Sequence, residues 1–165
     1  MTVHRDRPLF FLDVDGPLLP FGAGPQYAPT GPGPDAHLTR LDPRLGPRLA
    51  ALPCDLVRAT TWGEEANTEP APRLGLPRLP VVSWPEPSAA HVHEDQWLGL
   101  HWKTRALVAW ADGRPFAWVD DEITDADRDR VPAHHPAQAL LHHVAPSRGL
   151  TDQDFTILGP WLRAA

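Results

Sequence analysis

Two short apolar runs, each ending in a pair of acids, constrain this chain more than any other feature. Residues 8–15 read PLFFLDVD and residues 116–122 read FAWVDDE. A brief apolar run bounded by breakers reads as a buried strand, and Gly16 and Pro17 close the first one. Two acids at i and i+2 behind a strand also fit a solvated Asx turn. The second cluster, DDEITD, tips the balance towards a shared pocket.

The rest of the pattern places these strands in a layered protein. Asp55–Thr60 is a strand followed at Trp62, Gly63, Glu64 and Glu65 by a turn and an acidic first helical turn. Residues 77–84, containing LPVVSW, are a further short strand, and residues 102–111 are a helix with Ala106, Leu107 and Trp110 on its inner stripe. Leu38, Leu41, Leu45, Leu49 and Leu52 recur at helical spacing, but Pro43 and Pro47 break that stretch into short pieces. Residues 137–144 (AQALLHHV) suit a short helix, and the closing GLTDQDFTILGPWLRAA suits a capped helix that packs through Leu158, Trp161 and Leu162. The Gly/Pro-rich residues 18–34 sustain neither helix nor central strand, so they form a long loop, either a lid containing Tyr27 or a spacer. Strands alternating with helices predict one α/β domain over residues 1–165 with a mainly parallel central sheet. If the strands run parallel, their carboxyl ends share one edge, which brings Asp13, Asp15, Thr60, Asp120 and Asp121 to one crevice.

Composition bounds the function. The 165 residues carry 21 acids against 15 Lys and Arg, a net charge of -6 that argues against broad, nonspecific nucleic-acid binding but leaves room for a local phosphate site. A chain of this length buries roughly two thirds of its extended surface, so it needs no staples. Cys54 is the single cysteine and makes no internal disulfide. With no segment of signal-peptide or membrane-span character, cytoplasmic residence without a membrane partner is expected.

Crowding Asp13, Asp15, Asp121 and Asp125 into one pocket is electrostatically unfavourable without a cation, and Mg²⁺ with oxygen ligands relieves it. Such an ion aligns a phosphate for attack. Lys103, at a predicted helix start, adds positive charge opposite, and Thr60 offers a hydroxyl donor to a phosphoryl oxygen.

The ordered set FFLDVDG, LVRATTW, Lys103 and WVDDEITD resembles the four motifs of the haloacid dehalogenase-like (HAD) phosphohydrolase superfamily. More narrowly, it is similar to small members with a Trp after the Thr motif and a DDE motif, related to the HAD domain associated with RNA-repair proteins. The resemblance implies a three-layer Rossmann-like HAD fold and a Mg²⁺-dependent phosphatase working through an aspartyl phosphate. It implies Asp13 as nucleophile, and Asp15 as the acid that protonates the leaving group and then activates water. It implies Mg²⁺ held by the Asp13 side chain, the Asp15 backbone carbonyl and the Asp121 side chain, with Asp120 where many members have Gly. It implies Asp125 as a supporting acid that orients the metal water or Lys103, and Thr60 or its neighbour Thr61 at the phosphoryl group. Lys103 would neutralise nucleophile and phosphate. Trp62, which follows a predicted strand, is expected next to the substrate. The intervals 16–59 and 61–102 are too short for a large cap, so the resemblance implies an open site for a phosphorylated small molecule or nucleotide, or for a nucleic-acid end.

Other residues are less informative. Trp97, Trp102, Trp110, Trp118 and Trp161 are expected to pack, whereas Trp62 and Trp84 follow strands and suit the crevice. The nine His, including His91, His93, His134, His135, His142 and His143, lack the convergence of a zinc site and read as loop or surface residues. The DADRDR stretch fails as a calcium loop because Arg130 and Pro136 occupy its Gly and Glu positions. The alternative to phosphomonoester hydrolysis is a noncatalytic binding or scaffold protein on the same fold. Phosphotransfer to an alcohol differs from hydrolysis only in the acceptor.

Overall fold

The computed structural model describes residues 6–27 and 36–165. Four strands form one open, all-parallel sheet: β1 (Leu9–Leu12), β2 (Asp55–Arg58), β3 (Phe116–Asp120) and β4 (Ala139–His143), in the order β2-β1-β3-β4. Between β1 and β2 the described residues hold two 3-10 helices, Pro25–Tyr27 and Ala36–Arg40, and α1 (Leu45–Ala50). Four helices join β2 to β3, namely α2 (Glu65–Thr68), α3 (Pro70–Leu74), α4 (Ala89–Leu98) and α5 (Thr104–Ala111). The helix α6 (Asp125–His134) joins β3 to β4, and α7 (Asp152–Ala164) follows β4.

The apolar runs are continuous because both sheet faces are covered. Side chains alternate across a strand, so Phe10, Leu12, Ala117 and Val119 meet Leu45, Leu49, Leu74, Leu158 and Leu162 of α1, α3 and α7. On the opposite face, Leu9, Phe11, Phe116 and Trp118 pack with Leu107, Ala111 and Val131 of α5 and α6. Phe11 stands edge-on to both Trp110 and Phe116, at centroid distances of 5.7 and 5.3 Å. Among the described residues, no helix is long and apolar enough to cross a membrane.

Several local expectations need correction. Residues 137–144 form no helix: Ala139–His143 is β4, paired along its whole length with β3 from Phe116↔Ala139 to Asp120↔His143. The run 77–84 makes only a single bridge, Arg58↔Val81, because Pro77, Pro80 and Pro85 deny it a ladder. Helix α4 was absent from the sequence pattern because it buries no residue at all, and Trp97 on it is 80% exposed rather than packed. Of the 18–34 loop, Leu18 and Leu19 belong to the core, while residues 28–34 lie outside the described residues, as does the side chain of Tyr27.

All four strands point the same way, so β1 and β3 deliver the residues that follow them to one edge. The register Leu12↔Val119 makes Asp13 and Asp120 neighbours across that edge.

Candidate active site

Asp13 leaves β1 with its backbone still tied to β3, its N–H donating to the Val119 carbonyl at 3.2 Å. Its side chain is buried, and Oδ1 accepts the Val14 N–H at 2.8 Å. Asp120, the last residue of β3, is wholly buried. Its Oδ1 accepts the Glu122 N–H at 3.0 Å, and its Oδ2 accepts the Trp118 indole N–H at 3.3 Å. Carboxylate oxygens of Asp13, Asp120 and Asp121 lie within 4.8 Å of one another. Gly16 makes this approach possible. It adopts φ +97, and a Cβ there would sit 2.9 Å from Cβ and Cγ of Asp121.

The cluster is electrostatically strained. Burial pushes the Asp13 carboxyl from its ordinary value of 3.8 up to about 7, with Lys103 opposing the rise and Asp120 adding to it. Asp121 is pushed up to about 6, by burial first and by the Asp120 charge second. Lys103 Nζ is the cation inside the cluster, 2.7 Å from Asp120 Oδ2 and 3.3 Å from Asp13 Oδ2.

Lys103 caps α5, and its position is fixed from both sides by Asp127. The buried Asp127 carboxylate accepts the His101 N–H at 2.9 Å, the Thr104 hydroxyl at 2.6 Å and the Thr124 N–H at 2.9 Å. The Lys103 N–H donates to His101 Nδ1 at 3.1 Å, so the imidazole carries its proton on Nε2 and donates it to Glu122 at 2.9 Å. With both ring nitrogens so engaged, the grouping of His101, Asp120 and Glu122 does not fit a metal site. His101 is also buried, unlike the surface histidines expected.

Asp125 is not brought to the site. Its side chain is 99% exposed on the first turn of α6 and pairs with Arg128 at 3.0 Å. The acid that supports Lys103 is Asp127, two residues further on. Its signal in the sequence was the capping box of Thr124 and Asp127, in which each side chain bonds the other's backbone.

The site opens into a cleft of about 490 Å³. Asp13, Asp15, Lys103 and Asp121 line its acidic side. Asp15 adds no carboxylate oxygen to the three-acid cluster. Its Oδ2 instead accepts the Trp62 indole N–H at 3.1 Å. Thr60 is fully buried, with its hydroxyl accepting the Trp62 backbone N–H at 3.2 Å, while Thr61 faces the cleft. Trp84 sits behind this wall, donating its indole N–H to the Thr60 carbonyl and meeting Trp102 edge-on at 4.8 Å. Trp102 was expected to pack but is half exposed at the cleft, where Phe21 and Arg40 also stand.

Comparison with family models, curated proteins and solved structures returns no match for this chain.

Proposed function

We propose that the protein is a Mg²⁺-dependent phosphomonoesterase of the HAD type, forming an aspartyl phosphate at Asp13. The observation that carries this reading is the convergence of Asp13, Asp120 and Asp121 within 4.8 Å beside a buried lysine, at the carboxyl edge of a parallel sheet and open to a cleft.

The residues fit a hard dication. All three side chains offer oxygen, and burial, which pushes the Asp13 and Asp121 pKa values up, disfavours their charged forms in a way that a bound cation would offset. Asp13 and Asp121, with the Asp15 carbonyl, would hold the ion, and Asp120 completes the acidic wall. When bound, Mg²⁺ supplies charge neutralisation and alignment of the phosphoryl oxygens.

The side chains supply the rest. An Asp13 carboxylate oxygen forms a bond to phosphorus as the bond to the leaving oxygen breaks, and a proton from Asp15 goes to that oxygen. Lys103 favours the ionised form of Asp13 against the effect of burial, and it offsets the negative charge of the transferring group. Thr61 lines the cleft whereas Thr60 is buried, so Thr61 would donate to a phosphoryl oxygen. Asp15, now ionised, takes a proton from water as its oxygen attacks phosphorus and releases Asp13. An open cleft with Trp102 and Phe21 exposed at its wall suits a leaving group with an aromatic part, such as a nucleotide, or the end of a nucleic acid.

The test is phosphate release from an aryl phosphate and a panel of phosphometabolites, with Mg²⁺ and with chelator. Release that requires Mg²⁺ and disappears in Asp13→Asn is expected. A wild-type chain that binds Mg²⁺ but hydrolyses nothing in the panel would make it a noncatalytic binding protein instead.

A further inference from the structure

Asp15 and Trp62 follow different strands, β1 and β2, yet the indole Nε1 of Trp62 lies 3.1 Å from Asp15 Oδ2. The same tryptophan is anchored at both ends. Its ring packs against the core on the α1 side of the sheet, and its backbone N–H donates to the buried Thr60 hydroxyl. An indole N–H only donates and carries no charge. It therefore fixes one oxygen of a carboxyl group without neutralising it, and the proton of the acid form is left to Oδ1. We infer that Trp62 is a positioning residue for proton transfer by Asp15: it holds Oδ2, so that Oδ1 alone delivers the proton to the leaving oxygen and later receives one from water.

The inference rests on the phosphatase reading, in which Asp15 is the proton donor. It goes further, because it assigns the tryptophan behind the threonine pair to the chemistry of the leaving group rather than to substrate stacking. The consequence is specific. As the phosphorus–oxygen bond breaks, a poor leaving group such as an alkoxide needs the proton, whereas a dinitrophenolate departs without it. Loss of the indole N–H therefore harms alkyl phosphates selectively. A residue that merely fills space would affect all esters alike.

The experiment measures kcat/KM in Mg²⁺ for a series from 2,4-dinitrophenyl phosphate to alkyl phosphates. It compares wild type, Asp15→Asn, Trp62→Phe, and the chain with 3-benzothienylalanine at position 62, an isostere of Trp that lacks the N–H. Both position-62 variants are expected to lose about 10-fold or more on alkyl phosphates and less than about 3-fold on the dinitrophenyl ester, within the range that general acid catalysis supplies. Trp62→Phe added to Asp15→Asn is expected to cost nothing further on alkyl esters, since the two residues act as one unit. An equal loss across the series, or no loss in the benzothienyl chain, would overturn the role of Trp62 while leaving the phosphatase standing. A wild-type chain that releases phosphate from none of these esters would remove the reaction and the role together.

Discussion

Lys103 Nζ stands closer to Asp120, at 2.7 Å, than to Asp13, at 3.3 Å, so one ammonium holds two buried carboxylates together. Removing it leaves both acids facing each other without a counter-charge. Lys103→Met is expected to cost about 3 kcal/mol of folding stability, the scale of a broken buried pair. Phosphate release should fall at least about 100-fold. Urea denaturation and steady-state kinetics check the two effects.

The acids make stability depend on pH in an unusual direction. Asp13 has a folded pKa raised to about 7, so the folded state holds a proton that the unfolded chain has lost above pH 3.8. Its contribution is present below that value and is lost as pH rises through about 7. Without divalent ions, Asp13→Asn should therefore melt at about the wild-type temperature near pH 4 and roughly 3 °C or more above it at pH 8. Millimolar Mg²⁺ should raise the wild-type melting temperature and leave that of the variant unchanged. Thermal melts across this pH range with and without Mg²⁺ decide it.

Gly16 is required twice, once by its φ of +97 and once by its contact with Asp121. Gly16→Ala is expected to destabilise by about 2 kcal/mol and to weaken Mg²⁺ binding by pushing Asp121 outward. Calorimetric titration with Mg²⁺, alongside a denaturation curve, measures both.

Asp125 and Asp127 make a contrasting pair two residues apart. Asp125→Ala should change neither stability nor activity beyond about twofold, because an exposed i,i+3 pair contributes little. Asp127→Ala removes the acceptor shared by His101, Thr104 and Thr124, so a loss of about 3 kcal/mol is expected, with kcat reduced through Lys103. Denaturation and kinetics on the two variants test the assignment.

Much of this arrangement could be read from the chain alone, and the failures have physical causes. The strands β1 and β3 were legible because an apolar run stopped by acids leaves few alternatives, and parallel strands then bring Asp13 beside Asp120. Ala139–His143 was misread because Ala and Leu favour helices, while its strand form is decided by pairing with Phe116–Asp120, a contact remote in sequence. Helix α4 escaped because it buries nothing, and Asp127 because its value lies in three partners rather than in periodicity. Arg58 is fully buried beside Leu12, its Nε, Nη1 and Nη2 have no hydrogen-bond partner among the described residues, and burial pushes its pKa down to about 10.

That isolation has its own consequence. A buried guanidinium without partners opposes folding, so Arg58→Met should stabilise the protein by about 1 to 3 kcal/mol at neutral pH. Its urea midpoint should rise, whereas a fall of similar size would mean that the guanidinium gains more from its surroundings than burial costs it.

The most direct test traps the phosphoryl group itself. Asp15→Asn, given dinitrophenyl phosphate and Mg²⁺ and quenched in acid, should carry one phosphoryl group on the peptide containing Asp13, and that label should be absent when Asp13 is also replaced by Asn. Turnover by wild type with no phosphorylated peptide in the variant, or with the label on another residue, would contradict the account.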